Sequence, residues 1–153
     1  RTPSCALRGP RGPEVLKGID PLLTPDLLGL LAQMGHGDLL AVVDRNYPAH
    51  AAGAPVVELA GADLVGALRA ILALFPVDTF IDPPAWHMLM DGGASGPAVP
   101  DVQAELDGAE GRAVPFAGIA RPDFYVAARG AYAVVRTAET RPYACVLLSK
   151  GVV

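Results

Sequence analysis

The sequence predicts an α/β domain built on a buried, largely parallel sheet. Helical patterns alternate along the chain with short apolar runs of strand length, the order that lays helices over a parallel sheet. Those runs are continuous instead of alternating with polar residues, as strands covered on both faces require. With 153 residues, 52% of them apolar, the chain is long enough for one domain with a substantial core. Residues 15–153 are expected to form that single domain. Residues 1–14, with three prolines, two glycines, three arginines and no periodicity, read as a disordered extension.

Val15-Leu16-Lys17-Gly18-Ile19 is a short apolar lead-in. Thr24-Pro25-Asp26 then predicts a helix start: Thr caps, Pro takes the first helical position, and Asp favours the positive helix end. Leu27, Leu28, Leu30, Leu31 and Met34 supply the apolar stripe, and Gly35 or Gly37 ends the helix by adopting positive φ. Residues 39–43 are an apolar strand. Residues 46–55 form a loop in which Pro48, Gly53 and Pro55 block regular structure, and residues 56–59 a short strand. Asp63 caps a second helix, with Leu64, Leu68, Ile71, Leu72 and Phe75 at helical spacing and Pro76 as its stop. Residues 78–84 connect to a strand at 85–90. A Gly/Pro-rich loop at 91–100, a weak helix at 101–110 and a strand at 114–119 follow. A helix is expected over 122–130. The last strands, 131–136 and 145–148, are joined by a turn around 139–142.

Mean hydropathy is +0.36, yet no uncharged run reaches the ~18 residues of a membrane helix. The apolar excess reads as core or subunit interface. A net charge of −4 with scattered Lys and Arg argues against nucleic acid as a partner, because phosphate binding needs clustered cations. Cys5 and Cys145 offer neither metal spacing nor a disulfide framework, so the chain reads as intracellular with free thiols. Its first residues lack the apolar stretch of a signal peptide.

His36, Asp38 and Asp44 stand at the two ends of the strand predicted at 39–43. His36 has two readings. It is a cation at a helix C-terminus, or a proton-transferring imidazole that Gly35 and Gly37 leave unshielded. Asp44 is a turn residue, or it faces the crevice beyond a strand's carboxyl end. Asp38 reads as holding the turn, His50 as a solvated loop histidine and His87 as a packed one. No HxH, HxxxH or HxxE spacing exists, so no metal is expected. There is no G-x-S-x-G, and Cys145 lies in an apolar strand with no helix start to acidify it. Phosphate-cradling glycine motifs are absent too, which favours an unphosphorylated ligand. Arg121 and Tyr125 open one helix, and Tyr143 and Cys145 follow Arg141-Pro142. Each has an ordinary structural reading. Together with His36 and Asp44 they form a proton-transferring, hydroxyl-binding set suited to a small polyol such as a sugar.

M-G-H-G-D, then an apolar strand, then D-x-N-Y-P-A-H resembles the L-fucose mutarotase branch of the fucose mutarotase/D-ribose pyranase family. The resemblance runs from about Val15 to Val152. It includes Pro21-Leu22-Leu23-Thr24-Pro25, Leu74-Phe75-Pro76-Val77-Asp78-Thr79-Phe80, Phe124-Tyr125-Val126-Ala127-Ala128, and Pro142-Tyr143-Ala144-Cys145 before Leu147-Leu148-Ser149-Lys150-Gly151-Val152. Gly37 and Arg121 match the fucose branch, where the ribose branch usually carries Thr and His.

The resemblance implies a three-layer α/β/α domain with a mixed, largely parallel sheet and no metal or organic cofactor. It implies a cytoplasmic homo-oligomer, often a decameric ring, with monosaccharide sites near subunit interfaces and no membrane or nucleic-acid partner. It assigns His36 as catalytic acid, puts Tyr125 on the active-site helix, and gives Asp44, Arg121 and Tyr143 to sugar binding. Cys145 stands where the family usually has Asn, which removes two donors and an acceptor from a substrate-binding position. The implied activity interconverts α and β anomers of L-fucose or a similar sugar by acid/base ring opening and closure. The alternatives are a D-ribose pyranase-type isomerase and a non-catalytic monosaccharide-binding protein on the same scaffold.

Overall fold

The computed structural model describes residues 14–153; the rest of the expected extension at 1–14 lies outside the described residues. Thr24 Oγ1 accepts the Leu27 N–H at 3.2 Å and starts α1 (Pro25–Gln33). The helix ends where its capping Met34 turns extended; of the two glycines that follow, Gly37 takes positive φ (+85°). Asp38 Oδ2 accepts the Gly35 N–H at 2.8 Å, which is the turn-holding role its sequence position suggested. β1 (Leu39–Val43) follows directly. After it come β2 (Val56–Leu59) and α2 (Leu64–Leu72), the latter capped by Asp63 Oδ1 on the Gly66 N–H at 2.8 Å. β3 (Ala85–Met88), α3 (Val99–Glu110), β4 (Phe116–Ile119), α4 (Arg121–Arg129), β5 (Ala133–Thr137) and β6 (Val146–Ser149) complete the chain.

The six strands form one sheet in the order β2-β5-β1-β6-β3-β4. β2, β5 and β1 pair in parallel, as do β3 and β4, whereas β6 runs antiparallel to both of its neighbours, β1 and β3. The expected mixed, largely parallel sheet is therefore present, with β6 its one reversed strand. Alternation along β1 splits the core. Leu40 and Val42 face one cluster, with Leu27 and Leu31 of α1, Leu64, Leu68 and Ile71 of α2, and Val102 and Leu106 of α3. Ala41 and Val43 face the other, with Phe124 and Ala128 of α4. Three helices thus cover one face and α4 the other, giving the three layers. Full burial of one such Leu or Phe contributes about 1.5–3 kcal/mol.

Several boundaries differ from expectation for local reasons. The segment 46–55 is not wholly irregular: after Pro48 it makes a short 3-10 turn, Ala49–Ala51. α3 starts two residues early, because Pro100 sits in the first turn, where a missing N–H costs nothing. β3 stops at Met88, and Leu89 instead makes an isolated bridge to Ser95. β6 begins after Cys145 and includes Ser149. β5 begins at Ala133 and runs on to Thr137.

Candidate functional site

The reversed direction of β6 dictates where the polar residues gather. β5 and β6 are separated in the sheet by β1, so residues 138–145 must cross over the carboxyl end of β1. Glu139, buried beneath this crossing, anchors it. Its Oε2 accepts the N–H groups of Thr140 (2.9 Å) and Arg141 (3.1 Å), and its Oε1 accepts the Arg141 guanidinium (3.0 Å). Burial would raise the Glu139 carboxyl, but the Arg141 bonds outweigh it and hold it below the ordinary range. Tyr143 then adopts φ +57°, a left-handed conformation that costs a non-glycine residue about 1–3 kcal/mol. Gly96 packs under it; a Cβ there would lie 3.3 Å from Tyr143 Cβ.

The crossing roofs a solvent-open cavity of about 190 Å³, lined by Asp44, Asn46, Tyr47, Met88, Arg121, Tyr125, Pro142, Tyr143 and Cys145. It lies at the carboxyl ends of β1 and β3, where open α/β sheets carry their ligand crevices. Asp44 Oδ1 accepts the Asn46 N–H at 2.9 Å, and its Oδ2 takes the Cys145 thiol at 3.5 Å. Burial first, and then the Asp44 charge, push the Cys145 thiol well above its ordinary value, so it is a neutral donor and not a nucleophile. Arg121 opens α4. Its guanidinium is held by Asp91 Oδ1 at 3.0 Å and lies 5.8 Å from the centre of the Tyr125 ring. Tyr47 packs edge-on against Phe124, and burial pushes its hydroxyl up to about 12.

Five of the six residues singled out in the sequence therefore line one cavity: Asp44, Arg121, Tyr125, Tyr143 and Cys145. His36 does not join them in this chain. It sits before β1, at the opposite edge of the sheet, about 17 Å away along five residues of strand. There its Nε2 lies 3.1 Å from Asp78 Oδ1, and its ring centre lies 4.8 Å from that of Phe80. Asp78 is buried, with Oδ2 accepting Ser149 Oγ at 3.1 Å, while His36 remains 44% exposed. His50 is paired with Glu58 at 2.8 Å in solvent, and His87 is buried with its Nδ1 unpartnered among the described residues.

Sequence reasoning passed over Asp78, Asp91, Asn46 and Met88. Asp78 stood at the start of the expected connector, and nothing near it in the chain pointed to His36, 42 residues away. Asp91 had no signal either, because only folding brings its loop to α4. Among the described residues no group of three His, Cys, Asp or Glu side chains is arranged to hold a metal ion, and no helix is long and apolar enough to cross a membrane.

Fold and cavity together define a three-layer α/β/α protein with a small pocket of mixed polar and apolar lining at the carboxyl edge of a largely parallel sheet. The chain belongs to the RbsD / FucU transport protein family, whose family model matches residues 17–153. It is 39% identical over 140 residues to the L-fucose mutarotase of Histophilus somni (strain 2336), covering 90% of this chain and 97% of that protein. The crystal structure of the Streptococcus pneumoniae fucose mutarotase in complex with L-fucose is similar at TM-score 0.84 and 33% identity, covering 90% of this chain and 99% of that one. FucU from Bifidobacterium longum gives TM-score 0.85 at 37% identity with the same coverage.

Proposed function

We propose that the protein is a mutarotase that interconverts the α and β anomers of L-fucose or a closely similar unphosphorylated monosaccharide. The observation that carries this reading is the convergence of Asp44, Arg121, Tyr125, Tyr143 and Cys145 on one cavity, in a chain so similar to L-fucose mutarotases. Ring opening needs one group to take the anomeric hydroxyl proton while another protonates the ring oxygen as the C1–O5 bond breaks. Rotation about C1–C2 and the reverse transfers close the other anomer. No electron sink or nucleophile takes part, and positioned acid/base groups of this kind contribute about 10²–10⁴ in rate.

In this proposal His36 is the principal acid/base and a tyrosine, Tyr125 or Tyr143, assists. Asp44 accepts from sugar hydroxyls, Arg121 donates to them through its planar fork, and Tyr143 and Cys145 complete the binding surface. Because His36 and the cavity lie at opposite ends of β1, a second copy must bring its own His36 to the cavity. The active form is accordingly a homo-oligomer with sites between subunits, a decameric ring in our reading, working in the cytoplasm without a cofactor. Mass photometry tests the assembly and cell fractionation the location.

Saturation-transfer NMR of L-fucose tests the activity, with D-ribose run in parallel to separate the two branches of the family. Exchange should be far faster than in buffer with L-fucose and should fall by about 10²-fold or more in His36→Ala. Wild-type exchange at the buffer rate would sink the reading. Full exchange in His36→Ala would leave the enzyme standing and refute its assigned acid.

A further inference from the structure

Among the described residues Phe80 is the one Phe, Tyr or Trp left largely in solvent, at 68% exposure. An aromatic ring held in water forgoes the burial that normally stabilises it. It is nevertheless firmly positioned. Its N–H donates to Asp78 Oδ1 at 2.9 Å, and the same oxygen lies 3.1 Å from His36 Nε2. The other oxygen of that carboxylate takes Ser149 Oγ, and the Asp78 N–H donates to the Ser149 carbonyl at 3.0 Å, so the whole unit is fastened to β6. The imidazole and phenyl rings stand 4.8 Å apart, tilted by 58°. One buried carboxylate thus holds both the His36 imidazole and the backbone from which the exposed Phe80 ring projects beside it.

We infer that Phe80 is a substrate-binding residue, the apolar wall on which the C–H edge of the sugar rests while His36 reaches its anomeric end. The inference builds on the mutarotase reading of His36. The hydroxyl-binding groups, Asp44, Arg121 and Tyr143, line the other half-site beside Met88 and Pro142, whereas beside His36 the exposed ring that can meet the sugar's carbon-bound hydrogens is Phe80, 4.8 Å from the imidazole. The electron-rich face of Phe80 matches such polarised C–H bonds. A ring whose purpose was only to fill a contact between copies would need no shared tether with the imidazole.

Phe80→Ala and Phe80→Tyr test this in the full-length assembly, with anomer exchange followed over a range of L-fucose concentrations and assembly mass checked by mass photometry. Phe80→Ala should raise KM about tenfold while kcat stays within about twofold of wild type. Phe80→Tyr, which keeps the ring, should restore KM. An unchanged KM in Phe80→Ala overturns the inference. So does a fall in kcat alone, which would make the ring a support for His36, or loss of the assembly, which would make it a contact between copies. If wild type does not accelerate exchange, the mutarotase reading fails first. L-fucose affinity measured by NMR titration then decides: about tenfold weaker binding in Phe80→Ala sustains the wall, and equal or absent binding removes it.

Discussion

At Asp78 a carboxylate almost wholly removed from water collects the Phe80 N–H, His36 Nε2 and Ser149 Oγ. Burial alone would raise its pKa, but these bonds to the charged form outweigh it and hold the carboxyl below its ordinary value. A depressed native pKa stabilises the fold above the ordinary carboxylate range, and that contribution disappears as acid titrates the native group. Asp78→Asn should therefore cost about 1–3 kcal/mol at neutral pH, and the gap to wild type should narrow on acidification. Urea denaturation at pH 7 and at pH 3–4 checks this, and parallel curves for the two proteins would refute it. The residue also shows where sequence reading stops. Its spacing after Pro76 suggested only a connector, because its partners lie 42 and 71 residues away in the chain. His36, by contrast, was conspicuous between two glycines although its partner was not.

The elements were legible where their signals are local. Thr24-Pro25 marked the start of α1, and the unbroken apolar run marked β1 as buried on both faces. Pro100 misled, since read as a breaker it concealed the first turn of α3. The insertion of β6 between β1 and β3 has no local signal at all, yet it routes residues 138–145 over the pocket and bends Tyr143 into its left-handed conformation. β6 also leads into Gly151, where the chain passes hard against the segment bearing Asp78. A Cβ at Gly151 would lie 2.9 Å from Asp78 Cα and 2.9 Å from the Val77 carbonyl oxygen. These are backbone atoms that cannot rotate away. Gly151→Ala should thus destabilise the protein by about 1–3 kcal/mol. It should also slow sugar exchange, because the atoms that must shift carry the His36 partner. Equilibrium unfolding beside the exchange assay checks both, and a variant of wild-type stability would show that the backbone yields freely.

For the molecule as a whole, the sheet decides how function is distributed. Five strands point one way, and the pocket opens at their carboxyl edge. His36, Asp78 and Phe80 occupy the opposite edge, so β1 holds them apart from the pocket within the chain, and in the proposed mutarotase the two halves of a site come from different copies. The sequence already had His36 and Asp44 flanking one strand, a spacing that no folding of a rigid strand can close. Two differently broken proteins should consequently repair each other. In the proposed mutarotase His36→Ala keeps an intact pocket and Arg121→Ala an intact imidazole, so each alone should exchange the sugar only slowly. When equal amounts are dissociated and reassembled together, a junction works only if it draws its histidine from one variant and its pocket from the other. About a quarter of the wild-type rate should return, and a mixture as slow as its parents would mean that each site is built from a single chain.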